Sequence, residues 1–156
     1  MITILSLLLT GAWCAVAFYQ IWQDWHYRLL PLIPSFLGLG IGIVWTLIHG
    51  TWVTENWWID HGLVAIIAAI VLGFPWWHGK LGLGDVVSIL VFCLVFGFLP
   101  TLVILMGGAV LTIIGLLIRR IIKGLWNWSD VAPWGPGLWI MAMLMWIVLM
   151  VVMPMV

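Results

Sequence analysis

Six stretches of almost unbroken apolar residues run through this chain, separated by short polar or Pro/Gly-rich segments. They fall at about Ile2–Trp22, Leu32–His49, His61–Phe74, Val86–Leu99, Thr101–Ile118 and Gly137–Met153. About 20 helical residues cross a hydrocarbon layer, and roughly 17 suffice when the span is short. Continuous apolar runs exclude a β-barrel, whose strands change face at every residue. The pattern predicts an all-α fold, a polytopic membrane helical bundle with about six transmembrane helices, forming one integral membrane domain over residues 1–156. The third run is short, which predicts little tilt or a locally thinned bilayer. Pro100 is expected to divide the fourth and fifth spans in a tight hairpin. The first run lacks the basic start and small-residue cleavage site of a signal peptide, so it is expected to remain as a mature span.

Composition strengthens this picture. The chain is 66% hydrophobic with a mean hydropathy of +1.30, and five acidic plus five basic side chains cannot cover a soluble globule of 156 residues. Zero net charge offers no basic surface to nucleic acid, so the bilayer is the expected surrounding and nucleic acid is not an expected partner. Cys14 and Cys93 lie inside apolar runs, away from any CxxC or Cys/His grouping, which argues against a zinc site or a disulfide framework. No metal or cofactor is expected.

The few charges are placed unevenly. Arg28, Lys80, and Arg119 with Arg120 and Lys123 occupy alternate loops, whereas residues 51–60 contain no Lys or Arg. All five bases favour a topology with those three loops in the cytoplasm and both termini outside. Trp22, Trp25, Trp57, Trp58, Trp76, Trp77, Trp126 and Trp128 cluster near span ends, where an indole anchors at the interface. His26, His49, His61 and His78 also lie near span ends without HExxH spacing, and are expected to be interfacial polar residues.

Sorting the acids by side isolates two of them. Glu55 and Asp60 fall in the outer loop as solvated residues, and Asp130 has Arg119, Arg120 and Lys123 to balance it. Asp24 ends the first span and Asp85 begins the fourth, at the same membrane face. Each has an ordinary explanation: Asp85 as the cap of its helix, Asp24 as the partner of Arg28 four residues on. Together they have another, because ionisable groups beside lipid are costly and tend to mark function. Two adjacent carboxylates cannot both ionise cheaply, so they share a proton. The ionised member can then activate water against a peptide carbonyl while the protonated one donates to the carbonyl oxygen. Gly82 and Gly84, lacking side chains, are expected to leave room for a peptide backbone beside Asp85. The GKLGLG segment does not make a phosphate loop, since no Ser or Thr follows Lys80.

Three segments carry a family resemblance. D-W-H-Y-R-L-L-P, Asp24 to Pro31, resembles the first motif of the bacterial type IV prepilin peptidases. There an aspartate at the end of a transmembrane helix is followed by basic residues and a proline, matched here by Arg28 and Pro31. L-G-L-G-D, Leu81 to Asp85, resembles the second motif of these GxGD aspartic proteases, and A-P-W-G-P-G-L, Ala132 to Leu138, resembles the Pro-Phe-Gly-Pro segment that opens their last helix. The three occur in the expected order across nearly the whole chain. The resemblance implies a cytoplasm-facing endopeptidase of the bacterial inner membrane that removes the basic leader from a pilin-like precursor. Asp24 and Asp85 would be the catalytic pair, with Arg28, Pro31, Gly82, Gly84, Pro133, Gly135 and Pro136 shaping the site. It further implies the short, peptidase-only form without the four-cysteine methylase part. Archaeal preflagellin peptidases share the chemistry, and presenilin-like proteases share the GxGD in much longer chains. Two positions depart from the family pattern: Val87 stands where a lysine is common, and Leu32 where an asparagine is common.

Those departures motivate a second reading, a catalytically silent relative that scaffolds pilin-like proteins. A third, a proton-relaying transporter, suffers because both acids lie at one face rather than near the midplane.

Overall fold

The computed structural model describes residues 2–27, 30–49, 58–123 and 135–152. Among them are six α-helices: α1 (Ile2–Tyr27), α2 (Leu32–His49), α3 (Val64–Trp77), α4 (Leu83–Phe96), α5 (Phe98–Lys123) and α6 (Gly135–Val152). A π-helical turn, Trp58–Leu63, leads into α3. The chain is an all-α membrane protein, as the hydropathy pattern predicts. Ile4–Tyr27, Ile59–Trp77 and Phe98–Ile118 are long and apolar enough to cross a membrane, while Leu32–Trp45, Leu83–Phe96 and Gly135–Met150 are shorter apolar helices.

Helices α1, α2, α4, α5 and α6 close a ring in which α2 joins α1 to α4 and α6 joins α1 to α5, with α3 packed on α4. Enclosure by α2, α3 and α5 explains why α4 is apolar nearly all round: eight of its 14 residues are buried. At the centre, Trp13 stacks on Trp146 with ring centroids 4.6 Å apart and meets Phe96 edge-on at 5.5 Å. Trp146 Nε1–H donates to Thr10 Oγ1 across 3.1 Å, so one indole of this cluster ties α6 to α1. Tryptophans among the described residues divide into two sets. Trp22, Trp25, Trp76 and Trp77 are exposed near helix ends, as predicted, but Trp13, Trp45, Trp139 and Trp146 form the core.

Hydrocarbon gives apolar helices no hydrophobic reason to associate, so small residues allow close packing instead. Gly42 of α2 lies against Val95 of α4, and Gly137 of α6 against the Gly108 carbonyl and Thr112 of α5. This register has a consequence for α5. Since Gly137 is level with Gly108 and Thr112, the eleven residues 113–123 continue about 16 Å past the start of α6, at 1.5 Å per residue. Residues 113–118 are exposed there, five of them large and apolar.

The breaks between helices differ from the expected ones. Gly97, not Pro100, separates α4 from α5, and Pro100 lies in the first turn of α5, where a missing backbone N–H costs nothing. Gly97 takes φ +78°, a conformation that favours glycine, and the His61 ring packs directly on it. His61 is therefore buried rather than interfacial, its Nδ1–H donating to the Leu94 carbonyl at 3.2 Å, one of the carbonyls left open as α4 ends. The 75–84 loop is also shorter than expected, because α3 continues through Pro75 to Trp77. Gly79, at φ +65°, then closes a Schellman turn, with Gly79 N–H to the Trp76 carbonyl and Lys80 N–H to the Pro75 carbonyl. That turn delivers the chain directly into the Gly82–Asp85 segment.

Candidate functional site

The site is built where the end of α1 and the starts of α2, α4 and α6 meet. Asp24 lies in the last turn of α1 and is only 6% exposed. Helix α1 continues through it to Tyr27, so the expected 23–30 loop is helical over its first half. Asp85 is the third residue of α4, half-buried, and its carboxylate reaches back to the backbone N–H of Gly82, the N-cap of the same helix. This is half of a capping box, in which a carboxylate at the third helical position occupies the N-cap N–H. The helix-start role expected of Asp85 is thus real, though from the third position of the helix rather than from before it. Asp24 is also close enough for its charge to act on Asp85.

Leu30 is the wedge of this site. It stands between α1 and α2 and fills the space beside two glycines on different helices. A Cβ at Gly84 would run into the Leu30 carbonyl oxygen and lie 2.6 Å from Leu30 Cβ. A Cβ at Gly135 would lie 2.7 Å from Asp24 Oδ2 and 3.0 Å from Leu30 Cδ1. This revises the expectation for the glycines. Gly84 leaves room for the chain's own Leu30, whereas a Cβ on Gly82 would meet only the Asp85 carboxylate, at 3.0 Å. Of the pair, Gly82 alone presents an open face beside the acid.

The remaining candidate residues sort by position. Pro31 precedes α2, and its carbonyl accepts a hydrogen bond from Gln20 Nε2 at 3.1 Å. Pro136 is buried in the first turn of α6, where its fixed φ suits a helix start. Arg28 and Pro133 lie outside the described residues, as do Glu55 and Asp130. Asp60 and Lys80 are exposed.

Three polar residues that the sequence reading passed over complete the site. Gln20, Ser35 and Ser88 are each fully buried and are joined by hydrogen bonds: Gln20 Nε2 to Ser35 Oγ at 2.8 Å, and Ser35 Oγ with Ser88 Oγ at 3.3 Å. Gln20 precedes Asp24 by four residues and Ser88 follows Asp85 by three, so both share a helix face with an acid. A polar residue in an apolar run at helical spacing from each acid was the signal available in the sequence.

Chemically, this is a buried carboxylate and a half-buried one within Coulombic reach, beside an open backbone glycine. Such a pair can hold one proton between them and act as base and acid together. Comparison with protein-family models, with curated proteins and with solved structures finds no match.

Proposed function

We propose that this protein is a membrane aspartic endopeptidase of the prepilin-peptidase kind, using Asp24 and Asp85 to cleave the basic leader from a pilin-like precursor. The observation that carries the reading is the convergence of three sequence segments 50 or more residues apart: Asp24, Gly84 and Gly135 meet around Leu30, with Asp24 near enough for its charge to act on Asp85. Nothing in helix packing alone requires that the acids of α1 and α4 be brought together, since ionisable groups beside lipid are costly.

In the proposed reaction the ionised aspartate takes a proton from water as the oxygen attacks the scissile carbonyl carbon. The protonated aspartate donates to the carbonyl oxygen, and collapse of the tetrahedral intermediate passes a proton to the leaving amine. A cytoplasmic site accords with the basic residues of the loops on that face. A fitting substrate spans the membrane itself, with a Lys/Arg-rich segment before the cut and an apolar helix after it. The bond must be unwound to be cut, which a preceding glycine favours.

The test is mass spectrometry of the N-terminus of a co-expressed leader-bearing precursor, with wild type, Asp24→Asn and Asp85→Asn. A shortened precursor with wild type alone is expected. Retained cleavage in Asp85→Asn would return that residue to its helix-start role. Leu30 seated on Gly84 favours the silent-scaffold reading, because it narrows the approach to Asp85. An intact precursor with wild type across several candidates would select that reading.

A further inference from the structure

The two aspartates stand on helices with different neighbours. Helix α1 packs mainly on α2 and α6, and α4 mainly on α2, α3 and α5, so α2 packs extensively on both, beside the ring contacts Trp13–Phe96 and Phe92–Trp139 that α4 makes with α1 and α6. On α2, Ser35 lies between the acids' helices and bonds to each of them, to Gln20 of α1 and Ser88 of α4. A hydroxyl has one proton to donate and two lone pairs to accept with. Ser35 uses all three when it donates to the Pro31 carbonyl at 3.4 Å and accepts from Gln20 Nε2 and from the Ser88 hydroxyl. The Gln20 amide is in turn fixed by two acceptors, Ser35 Oγ and the Pro31 carbonyl. Every donor in the bridge therefore has an assigned acceptor, though the buried Gln20 Oε1 has no hydrogen-bond partner among the described residues, and in a low-dielectric interior these bonds are costly to break.

We propose that the Gln20–Ser35–Ser88 bridge sets the spacing of Asp24 against Asp85, with Ser35 as its positioning residue. Gln20 and Asp24 are one turn apart on α1, as are Ser88 and Asp85 on α4. A shift of either helix along or about its axis would carry its acid with it, and the bridge resists that shift one turn inward from the pair. Only the catalytic consequence rests on the peptidase reading; the spacing itself does not.

The experiment measures spacing through coupling, by carbon-13 NMR of the labelled aspartate carboxyls in micelles. The chain has four aspartates, and the Asn variants at 24 and 85 assign the two signals. Among the elements packed round the pair, α6 has no ionisable side chain, and α2 has only His49 at its far end. Arg28 is retained in every variant. In wild type the two carboxyls are expected to titrate in separated, mutually dependent steps. Ser35→Ala should narrow that separation by about one pH unit, a typical size for a neighbouring-charge effect. Ser88→Ala should do the same, and the double variant no more than either, because all three break one bridge. Thr10→Ala removes an interhelical hydrogen bond about 21 Å up α1 from Asp24 and should leave the titration unchanged. On any precursor that wild type cleaves, Ser35→Ala should lower kcat about 10- to 100-fold with KM unchanged, the cost of slightly misplaced groups. An unaltered separation in Ser35→Ala, or equal narrowing in Thr10→Ala, would overturn the proposal. If wild type cleaves nothing, the peptidase reading fails while the titration still decides the bridge.

Discussion

Gly82 and Gly84 are two residues apart in one short motif, yet the structure gives them unequal roles, and alanine at each measures the difference. At Gly84 a Cβ would overlap the Leu30 carbonyl and come within 2.6 Å of Leu30 Cβ. Carbon atoms pack best at about 3.5–4.0 Å, so the Leu30 segment or the start of α4 must retreat by about 1 Å. Backbone cannot yield as a side-chain tip can, and overpacking of this kind costs about 1–3 kcal/mol. Alanine is the better helix former by about 0.5–1 kcal/mol, which leaves a net loss on the order of 1 kcal/mol for Gly84→Ala. At Gly82 the backbone has φ −69°, which any residue adopts, and the one neighbour is the Asp85 carboxylate, which can rotate away. Gly82→Ala should therefore cost below about 1 kcal/mol, chiefly through weaker N-capping. Reversible unfolding in mixed micelles can be followed by intrinsic fluorescence, given 14 tryptophans, with Trp13, Trp45, Trp139 and Trp146 in the core. Gly84→Ala as stable as wild type, or Gly82→Ala the more damaging of the two, would refute the wedge role of Leu30.

Other outcomes follow from the same geometry. Gly97→Ala should destabilise by about 1–3 kcal/mol in the same assay, since alanine would sit at φ +78° with its Cβ 2.9 Å from His61 Cε1; unchanged stability would show that the α4–α5 break relaxes freely. Cleavage of a precursor should be bell-shaped in pH, because below both apparent pKa values the pair lacks its base and above both it lacks its acid; a profile with a single limb would speak against a shared proton. Cysteine labelling should reach position 55 from outside and position 80 from inside, and labelling of position 80 only from outside would reverse the topology.

Much of this protein was legible in its sequence, because lipid imposes its constraints locally. A backbone without water to bond must be helical, so apolar run lengths alone yielded six helices near their observed places. The two acids stood out because so few charges were present, and the glycine and proline segments around them marked helix starts. Tertiary packing decided the rest. Gly97 breaks the α4–α5 junction because a positive φ ends a helix there, whereas Pro100 fits the first turn, a choice that depends on where the helix begins. Tryptophans expected at interfaces and tryptophans of the core have the same side chain; only the ring of helices determines which face inward. The projection of α5 depends on the register of Gly108 against Gly137, set by contacts between residues far apart in sequence. Leu30 and Ser35 reveal nothing in an apolar run, since a leucine or a lone serine there is ordinary. Their importance arises only when α2, α4 and α6 bring Gly84, Ser88 and Gly135 to meet them, because a wedge and a bridge are relations between helices and not properties of any one.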